Sequence, residues 1–122
     1  MTLDDIPVPM RECLATFEAL RRCGFSSDNI YFTLAINFHT RRPHLAIQLQ
    51  AQARTFTVNC GELDAEGDEL RDLWQASAKW WNGEATEELR KQLWEASHVY
   101  ENKVDFLAGL LGNGFRLPKN WS

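Results

Sequence analysis

The sequence predicts an α+β fold: an N-terminal helix, a three-stranded antiparallel meander, then two or three C-terminal helices packed on one sheet face. Three observations carry that expectation. Apolar residues recur every three or four positions before Gly24, alternate with period two from Ile30 to Cys60, and return to helical spacing after Gly61. The 122 residues have the length of one domain. A chain of this size buries about two-thirds of its unfolded surface without help from disulfides or a metal. No repeat, low-complexity run or linker divides it, so residues 1–122 are read as a single domain.

The first helix is expected over residues 9–23. Met10, Leu14, Phe17 and Leu20 form its apolar stripe, Arg21 and Arg22 suit the negative end of its dipole, and Gly24 stops it. Ile30, Phe32, Leu34, Ile36 and Phe38 then alternate with Tyr31, Thr33, Ala35, Asn37 and His39, the pattern of a half-buried strand. Residues 40–43 read as a hairpin break. The second strand places Leu45, Ile47, Leu49 and Ala51 on one face and Ala46, Gln48, Gln50 and Gln52 on the other. At Phe56 and Val58 the apolar set moves from odd to even positions. A continuous strand cannot change faces, so a turn or bulge must lie near residues 52–54, with residues 55–60 as the third strand.

After Gly61 the acids Glu62, Asp64, Glu66, Asp68 and Glu69 lead into a helical stripe of Leu70, Leu73, Trp74, Ser77 and Trp81, which Asn82 and Gly83 stop. Thr86 is placed to cap the next helix, and the short link makes the two helices antiparallel neighbours. The stripe Leu89, Leu93, Ala96 and Tyr100 continues through Val104, Leu107 and Leu111. Residues 86–111 fit one long helix or two joined near Asn102, and residues 115–122 form a tail.

Composition narrows the function classes. Hydrophobic residues make up 44% and charged residues 25%, which argues against general disorder. Thirteen basic against seventeen acidic residues leave a net charge of −4, so the chain is acidic and nucleic acid is disfavoured as a partner. On the outward strand face only Tyr31 offers a ring for base stacking. The longest uncharged stretches, such as residues 29–40, are far short of a membrane span. The N-terminus is acidic and lacks the apolar core of a secretory signal, so a cytoplasmic location is expected. Three cysteines cannot make a full disulfide framework. Cys13 and Cys23 share a helix and stand roughly 15 Å apart along it, so buried thiols in a reducing compartment are expected.

The main anomaly is electrostatic. Residues 29–61 contain no Asp or Glu, although an even spread of the seventeen acids would place several there. Arg41, Arg42 and Arg54 make this segment basic, whereas residues 62–122 carry seven basic and twelve acidic residues. The outward strand face reads Tyr31, Thr33, Ala35, Asn37, His39, then His44, Ala46, Gln48, Gln50, Gln52, then Thr55, Thr57, Asn59, with no charged side chain. β-propensity favours Thr and rejects acids, which explains part of the pattern. The rest points to contact, because a face of hydroxyls and amides meets a partner without desolvating a full charge. The expected interface therefore comprises Tyr31, Thr33, Asn37, Gln48, Gln50, Thr55, Thr57 and Asn59. Trp80 joins it, since adjacent Trp80 and Trp81 diverge by roughly 100° and cannot both be central core. A solvated face and a face covered by the chain's own tail are the other readings.

Motifs for chemistry are sparse. His39, Arg41, Arg42 and His44 cluster at the predicted hairpin, where two guanidinium groups and turn amides can hold a phosphate or carboxylate. Two imidazoles alone do not complete a metal site, and the acid-free segment adds no carboxylate. Cys13 and Cys60 read as small core residues, and Ser97 and His98 are helix neighbours that do not face one another. No nucleophile elbow, P-loop, dinucleotide fingerprint or His-Glu-x-x-His motif occurs. The expectation is a non-catalytic interaction domain, with no catalytic residue, metal or cofactor, that forms a homodimer or docks another protein through its uncharged sheet face. The alternative is an anionic-ligand or catalytic site at the hairpin turn.

Overall fold

In a computed structural model, which describes residues 2–6, 8–36, 38–62, 67–97 and 103–118, the apolar stripe of the first segment folds as α1, Val8–Arg22. Met10, Leu14 and Leu20 are fully buried on it. The helix ends through Gly24, whose φ of 98° only glycine adopts readily. There the Phe25 N–H donates to the Leu20 carbonyl (3.1 Å) and the Gly24 N–H to that of Arg21 (2.9 Å). This closure satisfies the orphan carbonyls of the last turn and turns Phe25 into the core.

Three strands follow, β1 (Ile30–Ile36), β2 (Pro43–Ala51) and β3 (Arg54–Glu62), paired antiparallel in the order β1-β2-β3. The register aligns Ile30 with Leu49 and Phe32 with Ile47, then Leu49 with Phe56 and Ile47 with Val58, so the apolar positions share one face as the alternation predicts. The expected change of parity is a two-residue turn. Gln52 and Ala53 have φ of 56° and 59°, the doubly left-handed geometry that matches strand twist in tight hairpins. A bulge also interrupts β3, where Ala46 pairs with Asn59 but Leu45 pairs with Gly61, leaving Cys60 as the inserted residue.

The C-terminal half forms α2 (Gly67–Gly83), α3 (Glu87–Ala96) and α4 (Lys103–Gly112). The Thr86 hydroxyl accepts from the Leu89 N–H at 3.2 Å and caps α3 as expected. Residues 86–111 are not one helix: α3 ends at Ala96 and the backbone at Ser97 is extended, with ψ of 155°. The break resets the phase of the stripe. On α4 Leu110 is buried and Phe106 and Leu107 are partly buried, whereas Val104 and Leu111, expected inside, are exposed. α3 packs chiefly on α1, and its tie to α2 is polar, the Arg90 guanidinium donating to the Trp81 carbonyl.

The core lies between the sheet and these helices. Trp74 on α2 meets Phe32 of β1 edge-on at 5.5 Å and Phe17 of α1 at 6.0 Å. Phe56 of β3 meets Phe106 of α4 at 6.1 Å and Phe115 at 6.4 Å. α4 closes through Gly114 (φ 86°) as α1 does through Gly24, and the two phenylalanines delivered by these closures, Phe25 and Phe115, touch edge-on at 6.0 Å. Three of these ring contacts include a strand residue of the inner sheet face, Phe32 or Phe56. Phe38 departs from expectation. Its parity assigns it inward, but the β1–β2 ladder ends at the pair Ile36–Pro43, and Phe38 stands in the turn with 90% of its surface exposed.

Candidate functional site

The antiparallel register assembles the second face of the sheet. Tyr31, Gln48 and Thr57 form one cross-strand row; Thr33, Ala46 and Asn59 form the next; Gln50 pairs with Thr55 near the Gln52–Ala53 turn. Seven of the eight expected sheet residues therefore share one surface. The eighth, Asn37, lies outside the described residues. Gln50, Thr55, Thr57 and Asn59 are exposed, Tyr31 is 45% exposed, and Thr33 and Gln48 are half-buried. Ala46 is fully buried at the centre, a single methyl in the trough between Thr33 and Asn59. Along β2 the Gln50 amide donates to the Gln48 carbonyl, so the two side chains run as a ladder over one face. The bulge at Cys60 brings the position of Glu62 opposite His44, which ends the uncharged rows at that edge. The tail does not roof this face in its described part: Phe115 is in the core and Leu117 packs against it.

The Gln52–Ala53 end is clamped to the C-terminal segment. The Gln52 side-chain amide donates to the Arg116 carbonyl and its oxygen accepts from the Arg116 N–H, both at 2.8 Å. Arg54 lays its guanidinium against Gly114, where a Cβ would stand 2.6 Å from Cζ. Arg54 thus points to the helix side and puts no charge among the uncharged rows.

The hairpin residues occupy two settings, the turn and the ladder. His39, Arg41 and Arg42 are exposed in the turn, Arg41 with φ of 61°, and the Arg42 N–H donates to the Thr40 hydroxyl at 3.3 Å. His44 lies within the ladder opposite Ala35, half-buried, with an Nε2 that is buried and has no hydrogen-bond partner. The cross-strand approach of the two histidines expected from a hairpin closing at His39 is therefore not formed by the ladder, which stops three residues before His39. Among the described residues no three His, Cys, Asp or Glu side chains gather as a metal site. Trp80 belongs to the helix layer: half-buried on α2, it is 5.9 Å from the Trp81 ring and lines a small cavity with Ile6 and Leu14.

Two features lie outside the sequence reading. A groove of about 800 Å³ runs between α2 and the edge strand β1, with Tyr31, Phe32, Trp74, Asp72 and Lys79 in its walls, and the Trp74 indole N–H is buried beside it without an acceptor. The other is a contact at the helix–sheet interface. Cys60 of β3 donates its thiol to the Val58 carbonyl at 3.6 Å and lies 3.9 Å from the Thr16 hydroxyl of α1, one turn after the fully buried Cys13. The neighbouring Cys60 and burial together push the Cys13 thiol up. The sequence gives no local sign of either, since each joins segments more than forty residues apart. No protein-family model, curated protein or solved structure matches this chain. Among the described residues no helix is long and apolar enough to cross a membrane.

Proposed function

We propose that this protein is a non-catalytic interaction domain that pairs with a second copy of itself through the outer face of its sheet. The observation that carries the reading is the uncharged surface of Tyr31, Thr33, Gln48, Gln50, Thr55, Thr57 and Asn59 set around the buried Ala46. Two arguments select a second copy as the occupant. Residues 62–122 carry five more acids than bases, so copies approaching through the helical half repel one another, whereas the sheet face adds no like charge. Hydroxyls and amides also both donate and accept, so a patch of them complements itself across a two-fold axis. We place the domain in the cytoplasm, where its three thiols are compatible with the compartment.

The test is charge placed at the centre of the face. Gln48 and Thr57 are register partners, so Gln48→Lys with Thr57→Lys would bring four ammonium groups together in a two-fold pair. Such like-charge contact costs several kcal/mol, enough to raise the dimer Kd by about a hundredfold or more. Light scattering at micromolar concentration should give a dimer mass for the parent and a monomer mass for the variant, with unchanged helical circular dichroism. A parent that is a monomer at these concentrations, or a variant that elutes with it as a dimer, rules the reading out.

A further inference from the structure

We infer that the open edge of β1, with the groove beside it, takes up an extended basic segment of another protein as a fourth strand. This inference is independent of the sheet-face reading, since an edge and a face are separate surfaces. Among the described residues β1 pairs with β2 alone, so its other side presents a row of backbone N–H and C=O groups. Proteins blunt such an edge with charges, proline, bulges or brevity. The two edges of this sheet differ in that respect. β3 begins at Arg54, ends at Glu62 and carries the bulge at Cys60. β1 is seven residues long, in an unshifted ladder, with no charged residue, proline or glycine among them. α2 passes alongside without closing the edge, because the groove of about 800 Å³ separates the two.

The groove selects the occupant. Asn82 donates its side-chain amide to the Ser27 hydroxyl at 3.3 Å and the Trp74 ring meets Phe32 at 5.5 Å, so α2 runs antiparallel to β1. Phe17, Phe32 and Trp74 give the groove an aromatic wall. The Trp74 indole N–H is buried without an acceptor; an occupant that brings carbonyl oxygens can satisfy it, and a hydrocarbon cannot. Charge narrows the choice further. Lys79 and Asp28 balance one another toward the Ser27 end of the groove. Asp72 stands two turns of α2 away from Lys79, roughly 10 Å along the axis, on the far side of Trp74. It is exposed and, among the described residues, has no ion-pair partner. A lysine or arginine on the incoming strand complements it. A slim segment fits this setting better than a second copy, whose own α2, with three acids to two bases, would enter against the first. The complementary chemistry is therefore an extended peptide with alternating apolar residues and a basic residue at the Asp72 end. Its backbone continues the ladder and its apolar side chains enter the groove.

The probes are two capped heptapeptides: threonine alternating with valine and phenylalanine and ending in one lysine, and the same sequence reversed. Each is titrated into the full-length ¹⁵N-labelled protein. At least one should bind with a dissociation constant below about 1 mM, moving the β1 amide resonances and that of the Trp74 indole N–H. N-methylation of alternate peptide amides is then tested in both phases. One phase removes the donors that face β1 and should weaken binding about tenfold or more; the other should be tolerated. Glutamate in place of the lysine should weaken binding a few-fold, and Asp72→Lys, checked for folding by circular dichroism, should reverse that preference. The protein carrying Gln48→Lys and Thr57→Lys should still bind the peptide, which keeps this test separate from that of the sheet face. The inference is overturned by no binding of either peptide at millimolar concentration, by N-methylation that acts alike in both phases, or by an unaltered preference in Asp72→Lys. It is equally overturned by β1 shifts that follow protein concentration in place of peptide, as edge-to-edge pairing of two copies gives.

Discussion

Replacing Glu18 by alanine is expected to cost about 2–4 kcal/mol, a figure that follows from its three partners. The carboxylate stands on α1 with 7% of its side chain exposed. Oε2 accepts from the Trp81 indole N–H at 3.2 Å and from Arg21 at 3.1 Å, and Arg22 lies 3.5 Å from Oε1. Trp81 is fully buried, so removing its acceptor leaves an N–H with neither protein nor water to bond, a loss of about 1–3 kcal/mol. The two arginine side chains are 28% and 25% exposed and can turn to water, so each adds only about 0.5 kcal/mol, well short of a fully buried pair. Glu18→Gln keeps a carbonyl for the indole and should lose about 1 kcal/mol, the charge-assisted part alone. Urea unfolding followed by far-UV circular dichroism measures both. With a slope typical of a small domain, the alanine variant's midpoint should fall by roughly 1–2 M. In a Trp81→Phe background the alanine substitution should cost less by about 1–2 kcal/mol, because the orphaned donor is already gone. If both Glu18 variants lie within about 0.5 kcal/mol of the parent, Glu18 does not pin α1 to α2.

The two turns at the far end of the sheet give further expectations. Ala53→Gly relieves a left-handed residue with an exposed side chain and should stabilise by about 1 kcal/mol in the same assay, whereas Gln52→Gly should not, since it removes the bidentate pairing with Arg116. Gly114→Ala should destabilise by about 1–2 kcal/mol, because φ of 86° strains an L-residue and the new methyl displaces Arg54. Gly112→Ala, where a Cβ meets nothing within 4 Å, serves as the control and should be neutral or slightly stabilising.

What could be read from the sequence depended on whether the signal was local. The stripe of Met10, Leu14 and Leu20 and the alternation through Ile30, Phe32, Leu45, Ile47 and Leu49 identify the buried faces, because periodicity follows from backbone geometry. The shift of apolar parity at Phe56 located the Gln52–Ala53 turn although neither residue is a favoured turn former; Gln52 is held there by Arg116, a partner 64 positions away. Phe38 was misread because the alternation runs on past the last ladder pair, and nothing in its own residue type marks the end of pairing. Val104 and Leu111 failed for the same reason, since the stripe crosses the end of α3 unchanged in sequence while the structure restarts it at a new angle. For the candidate surface, membership of the outward face was legible from parity alone, whereas the pairing of its residues into rows needed the register. The bulge that aligns Glu62 with His44 and sets Cys60 against Thr16 of α1 was not legible, because no residue near it marks a break in the alternation.

The central claim is that the rows around Ala46 meet a second copy of the chain. Isotope-filtered nuclear Overhauser spectra of a one-to-one mixture of labelled and unlabelled protein test it most directly. Contacts between copies should come from the side chains of Gln48, Gln50 and Asn59 and from Thr33, Ala46 and Thr57. A mixture with no contact between copies, or with contacts confined to α2, α3 and α4, would contradict it.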